Sequence, residues 1–432
     1  MSAPEQVQQA IQIHQQGQIA RAAAMYRRVL AAAPDHVDAL HFLGIAEHQQ
    51  GRSEEALRLM GRSIELEPGH PDTHVNRANV LRQLGRASEA EASYRTALAL
   101  RPDDPKALNN LAALLREGDR LGESVALLRR LATLAPDDAD AQQNLGQALF
   151  ALGQLDEGLQ AFQRAIRIRP DATSFRRMGA AFYGRGQIAE AAGAYRQWLA
   201  IEPGSPEATH LLAGCTAEGA PARASDAFVR SLFDRFAPSF DHALERLDYR
   251  APALVAGAVA AAVGAPAGAL AILDAGCGTG LCAGPLRPFA KSLVGVDLSP
   301  NMLERARRRS VYDSLVEAEL CDFMSRTPDS YDVIVSADTL VYFGALEEVT
   351  AAAARALRPR GLLAFTTERS TDAEAPEGRR LHPHGRYSHT EAYLRRVLGD
   401  AGLEVMAVRE VELRKEAGAR VQGLLVAARR PA

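Results

Sequence analysis

The 432-residue chain is 47% hydrophobic and 24% charged, which excludes a disordered polymer and leaves room for two or more cored domains. Its net charge of −3 gives no whole-chain attraction to nucleic acid, although a local basic patch stays open. Cys215, Cys277, Cys282 and Cys321 form no CxxC pair and no metal-ligand spacing, so free thiols in a reducing cytoplasm are expected, with no metal.

In chain order, the opening MSAPEQVQQAIQ lacks the basic and apolar regions of a secretory signal. An internal repeat follows. Pro34, Pro68, Pro102, Pro136 and Pro170 are spaced by 34 residues, and Pro203 falls one short of the next step. Gly17, Gly51, Gly85 and Gly153 mark one turn of each unit, while Gly44, Ala78, Ala112, Gly146 and Gly179 form a small-residue slot. Tyr26, Met60, Tyr94, Leu128, Phe162 and Tyr195 fill a large apolar slot. Small residues at a helix crossing, a bulky residue opposite and proline after the second helix predict antiparallel helical hairpins stacked on copies of themselves. The pattern closely resembles the tetratricopeptide repeat, and a helix near 206–217 is expected to cap the stack.

Such a solenoid implies a concave face that binds a peptide or protein. Asn76, Asn110 and Asn144 run along it, one per repeat, with Arg82 and Arg116 beside them. An asparagine amide donates and accepts at once, so this ladder either grips an extended peptide backbone or bonds to its neighbouring hairpin. The expected division is a repeat domain over 1–217, a linker over 218–226 and a second domain over 227–432.

After the linker, Phe228, Leu232, Phe236, Phe240 and Leu244 recur at roughly helical spacing. They predict two short amphipathic helices that either pack on a sheet edge or cover a ligand, with Phe236 and Phe240 nearest it. The stretch 251–273 is charge-free and long enough to span a membrane, but Gly264, Pro266 and Gly268 break it. It reads as a buried helix over 251–263 followed by a strand, so no membrane partner is expected. Strand-like runs at 269–274, 292–297, 317–321, 331–336, 361–367, 403–411 and 421–428 then alternate with helical ones. The alternation predicts a doubly wound α/β sheet of seven strands, the last two an antiparallel pair, with its ligand at the carboxyl ends.

The first of these strands delivers DAGCGTG at 274–280, and the next ends in Asp297. Glycine lacks the Cβ that would hold a ligand off the backbone. A nicotinamide fingerprint requires a third glycine where Leu281 stands, which argues against a dehydrogenase. The order of motifs resembles instead the class I S-adenosylmethionine-dependent methyltransferases, over essentially all of 225–432. The resemblance implies S-adenosyl-L-methionine as cofactor, a Rossmann-like fold, and a cofactor loop of Asp274, Gly276, Cys277, Gly278 and Gly280. It further implies Asp297 on the ribose with Leu298 beside it, Met302 on the adenine, and Asp322 and Phe323 at the adenine amino group and ring. Ala337 in the loop after the fourth strand and Phe240 from the preceding helices complete that set.

The acceptor side is expected in the fourth-strand loop (Asp338, Tyr342), the fifth-strand end (Arg369) and the insertion 370–390. Within the insertion Arg386, Tyr387 and His389 are the candidates: histidine as a base, arginine as a carboxylate fork. The tetrapeptide [DN]-P-P-[FY] is absent after the fourth strand, which lowers nucleobase and glutamine acceptors and leaves oxygen or another nitrogen. The expected activity is methylation of a peptide or protein recruited by the repeats. The alternatives are a repeat scaffold with a silent cofactor domain, and a small-molecule methyltransferase that self-associates into a homo-oligomer.

Overall fold

A computed structural model describes residues 2–216, 219–416 and 418–432. The chain divides into two compact units, Met1–Ala181 and Phe182–Ala432.

The first unit is a run of helices: α1 (Ala3–Gln15), α2 (Ile19–Ala32), α3 (Val37–Gln49), α4 (Ser53–Leu66), α5 (Pro71–Gln83), α6 (Ala87–Leu100), α7 (Pro105–Glu117), α8 (Leu121–Leu134), α9 (Ala139–Ala151), α10 (Leu155–Ile168) and α11 (Ala172–Gly184), whose last turn passes into the second unit. The expected slots pack as hairpin contacts. Tyr26, Tyr94 and Phe162 are fully buried. A Cβ on Gly44 would lie 2.9 Å from Met60, and one on Gly146 3.0 Å from Phe162, so the small residue is required by the large one opposite. The inter-helix turn needs a left-handed residue, supplied by Gly17, Gly51, Gly85 and Gly153; in the one repeat without glycine there, Asp119 takes φ of 60°.

The second unit begins with α12 (Ile188–Ile201) and the expected capping helix α13 (Pro206–Thr216), followed by α14 (Asp226–Phe236), α15 (Phe240–Arg246) and α16 (Ala251–Val263). The charge-free stretch behaves as expected: α16 buries Val255 and Val259 on the sheet, and Gly264 at φ 83° ends it. Among the described residues no helix is long and apolar enough to cross a membrane. Of the expected linker, Ala217 and Glu218 lie outside the described residues. The stretch 221–224 is tied down, since Ala224 N–H donates to Tyr342 O at 2.8 Å and Ala222 O accepts from Gly344 N–H at 2.8 Å.

The sheet holds β1 (Leu270–Ala275), β2 (Ala290–Asp297), β3 (Ser314–Glu317), β4 (Tyr331–Ser336), β5 (Leu357–Arg369), β6 (Arg379–Leu381), β7 (Tyr387–His389), β8 (Glu404–Glu416) and β9 (Ala419–Arg429). Its order is β3-β2-β1-β4-β5-β7-β6, with β9 antiparallel to β5 and β8 antiparallel to β9. Six of the seven expected strands are present, the third is displaced toward the N-terminus, and two short ones in the insertion bring the described count to nine. β3 ends at Glu317, earlier than expected, and the chain turns into a short helix at Leu320–Ser325 capped by the Glu319 carboxylate. Apolar clusters cover both faces, one centred on Leu273, Ile334 and Phe365, the other on Ile272, Val333 and Leu362.

Candidate active site

At the carboxyl ends of β1, β2 and β4 lies a cavity of about 310 Å³. Its floor is the glycine loop, where Gly276 and Cys277 N–H both donate to Val296 O, at 2.8 and 2.9 Å. Three glycines, all left-handed, serve different ends. A Cβ on Gly276 would collide with Thr339, whose hydroxyl donates to Gly276 O at 3.1 Å. One on Gly280 would lie 2.9 Å from the Tyr312 ring. Only above Gly278 is there open space, and Gly278 lines the cavity.

Asp297 is fixed over this loop: Gly278 N–H donates to its Oδ2 at 2.8 Å and Ser299 N–H to its Oδ1 at 2.9 Å. Burial pushes its pKa up, with these N–H groups opposing. Leu298 and Ala337 line the same end. Beneath, Asp274 is fully buried, accepts from Tyr312 Oη at 2.5 Å through Oδ2 and has no partner for Oδ1. Burial raises its pKa to about 7. Cys277 and Met302 are buried and do not line the cavity.

Asp322 and Phe323, expected at the adenine, do not line the cavity. Because the segment is helical, the Asp322 side chain is 74% exposed and turns to Arg326, and Phe323, half-buried, packs against the core. Glu319 and Leu320 line the cavity instead, and Glu319 Oε1 is buried without a partner.

α14 and α15 supply the roof: Phe233, Phe236, Phe240 and Leu244 face the cavity, with Phe236 and Phe240 ring centroids 5.2 Å apart. The roof is tied to the glycine loop by Thr279 Oγ1 donating to Asp241 at 2.5 Å and to the turn after β2 by Ser299 Oγ donating to Asp234 at 2.6 Å.

The other end is charged. Arg414 pairs with Asp338 at 2.7 Å and with Glu368; Arg386 pairs with Glu368 and Glu416, both at 2.6 Å. Thr366 Oγ1 donates to Asp338 Oδ1 at 2.9 Å. Burial raises the Asp338 pKa against the pull of Arg414. His384 is driven down to about 2 by burial and then by Arg386, so it is neutral. Arg386, Asp338 and Tyr342 line the cavity.

His389, Tyr387 and Arg369 do not. His389 is fully buried between Thr367 Oγ1 (2.7 Å) and Gly344 O (3.2 Å), and burial lowers its pKa to about 4. It occupies β7, whose pairing with β5 turns it into the core. Tyr387 donates to Pro221 O at 2.6 Å, and Arg369 pairs with Glu410 at 2.9 Å. Sequence reasoning missed Arg414 and Glu416. The signal available was a charged pair late in a strand, and the bulge between Glu412 and Arg414 sets the phase that buries Arg414.

In the first unit the asparagines bond to neighbouring hairpins. Asn110 donates to Asn79 Oδ1 at 2.9 Å, Asn144 to Asn109 Oδ1 at 2.8 Å, and Asn76 meets His41 Nε2 at 2.8 Å. Arg82 pairs with Glu117 and Arg116 donates to Gln147 at 2.8 Å, each one repeat onward. Among the described residues there is no cluster that would hold a metal.

A glycine-floored, acid-lined cavity at the carboxyl edge of a doubly wound sheet defines a ligand-binding α/β domain. A methyltransferase domain model matches residues 273–365, and tetratricopeptide repeat models match 15–71, 47–115 and 139–171. The chain therefore joins tetratricopeptide repeats to a C-terminal methyltransferase domain. It is similar to methyltransferase-like protein 27 of Homo sapiens (35% identical over 141 residues, 31% of this chain and 56% of that protein). It is also similar to a ubiquinone biosynthesis O-methyltransferase of Thiobacillus denitrificans (33% over 109 residues, 24% and 46%). A malonyl-[acyl-carrier protein] O-methyltransferase of Enterobacter lignolyticus is 33% identical over 96 residues, 22% of this chain and 38% of that protein. The matches thus span between about two fifths and somewhat over half of those relatives' lengths. Among solved structures, PilW, a type IV pilus biogenesis factor, aligns at 19% identity and TM-score 0.44 over 49% of this chain and 98% of that one.

Proposed function

We propose that the cavity transfers a methyl group from S-adenosyl-L-methionine to a peptide or protein recruited by the repeats. The observation that carries the reading is Asp297, held by two backbone N–H groups above the open space at Gly278. That carboxylate would take the ribose hydroxyls, and the orphaned Glu319 Oε1 would accept from the adenine amino group. The residues present fit the group. When bound, it supplies an electrophilic methyl on a sulfonium sulfur.

The chain's own work is alignment and exclusion of water. The phenylalanine roof shields one side, and the Arg386–Glu368–Arg414–Asp338 cluster offers a polar wall to the acceptor. Positioning of this kind supplies about 7–11 kcal/mol in favourable cases. Arg386 and Asp338 would orient the acceptor, while Tyr387 and His389 would hold the wall from behind. Oxygen as the acceptor atom is supported by the printed names of two relatives, both O-methyltransferases.

Calorimetry with S-adenosyl-L-methionine tests the cofactor: binding by the full chain and its loss in Asp297→Ala are expected, and no binding by the wild type would sink the reading. Labelled cofactor added to lysate tests the acceptor. Label in polypeptide is expected, and label confined to small molecules would sink recruitment by the repeats.

A further inference from the structure

The residues that wall the acceptor end sit on a weak support. His384 and Arg386 belong to the turn between β6 and β7, two strands of three residues each, and β7 pairs with β5 through two residues only. So short a hairpin does not hold its own geometry. It is braced from outside by α13. His210, 3% exposed on that helix, meets Gly385 O through Nε2 at 2.9 Å. A carbonyl only accepts, so Nε2 carries the proton.

The same imidazole stacks on Phe228 of α14 with centroids 4.4 Å apart, so one side chain touches both the turn and the roof helix. One turn further along α13, the turn's backbone presses against Gly214. A Cβ there would lie 2.5 Å from His382 O and 3.2 Å from the Pro383 Cα, and neither is a flexible side-chain end. Glu207 of α13 pairs with Arg235 of α14 at 2.9 Å. Ala213 joins Leu381 and Tyr387 in a small apolar cluster.

We infer that α13, the closing helix of the repeat pattern, is a positioning element of the catalytic cavity: through His210 and Gly214 it sets the 382–386 turn against the α14 roof. Neither residue touches the cavity; they act through Arg386 and His384. The inference deepens the methyl-transfer reading and rests on it for its catalytic meaning. It also means that a chain starting at 218 would lose part of its active-site support, although the repeat pattern ends before that point.

Three full-length variants test this by amide exchange, with S-adenosyl-L-homocysteine as the binding probe. His210→Phe keeps the stack on Phe228 and removes the bond to Gly385; at about 1 kcal/mol for that bond, exchange over 382–389 is expected to quicken about fivefold. His210→Gln restores a donor and should return exchange toward wild type. Gly214→Val should quicken the same segment by displacing the turn, and reads it independently should His210→Phe fail to fold. Probe affinity is expected to hold, because the glycine loop is untouched, while the rate of label transfer from saturating cofactor to lysate acceptors falls. Unchanged exchange over 382–389, or quickening spread evenly across β1–β5, would overturn the inference. Failure of the wild type to bind the probe overturns the methyl-transfer reading alone, since the exchange result does not depend on cofactor.

Discussion

Asp274→Asn isolates the cost of burying an acid under the glycine loop. The Asp274 carboxyl titrates near 7 in the fold, against about 3.8 in the open chain, because burial disfavours its charge and Tyr312 Oη only partly offsets this. A folded pKa raised above the unfolded value favours the fold below the unfolded pKa. That advantage is lost as pH rises through the folded one. At 1.36 kcal/mol per pH unit, the charged group costs the fold about 0.5 kcal/mol at pH 4 and about 4 kcal/mol at pH 8. Asparagine retains the shape and the acceptor for Tyr312, and removes the titration. The difference in stability between variant and wild type should therefore grow by about 3–4 kcal/mol in favour of the variant from pH 4 to pH 8. Trp198, the single tryptophan, is buried in the same compact unit, so its fluorescence during denaturant titration reports on that unit. A gap that is the same at both pH values would refute the reasoning, since other titrating groups are common to both proteins.

Three further outcomes separate the observed site from the expected one. Glu319→Gln should weaken S-adenosyl-L-homocysteine binding about 10–100-fold by removing a charged acceptor, whereas Asp322→Asn should leave it unchanged; equilibrium dialysis showing the reverse ranking would refute the reassignment. Arg414→Met strands the Asp338 carboxylate and takes one of two guanidinium partners from Glu368, which keeps Arg386, and should cost about 3–5 kcal/mol by denaturant unfolding. Arg369→Ala, which breaks a surface pair with Glu410, should cost under about 1 kcal/mol in the same assay. Asn110→Ala removes the bond to Asn79 and should lower the stability of the repeat unit by about 1 kcal/mol. Unchanged stability together with lost labelling of acceptor would show the amide gripping a peptide instead.

What the sequence made legible was whatever depends on local spacing. The 34-residue register located the hairpins down to single slots, even where Asp119 stands in for the turn glycine, because each repeat solves the same packing problem with the same residues. The glycine loop and Asp297 were legible for a similar reason: backbone N–H groups and a carboxylate one strand apart meet whenever β1 and β2 pair in parallel. Asp322, His389 and Arg414 depend on phase. A strand that ends at Glu317 instead of about four residues later turns Asp322 outward, a three-residue β7 turns His389 inward, and a bulge before Arg414 buries a charge that strict alternation would leave in doubt.

The two buried ones, His389 and Arg414, share one physical feature: each is polar and each is held by partners far away in the chain. Arg414 answers to Asp338, 76 residues distant, and His210 answers to Gly385, 175 residues distant. Burying a charge or an amide is tolerated only when its partners are in place, so such groups are fixed by the finished tertiary structure and leave little local signature. The same argument explains why the acceptor end is the less readable half of the site. The cofactor end is built from backbone and one carboxylate on consecutive strands. The acceptor end needs β4, β5, β7, β8 and, through α13, the last helix of the repeats to meet at one wall, and any of these moving by one residue would leave two guanidinium groups and three carboxylates without their partners.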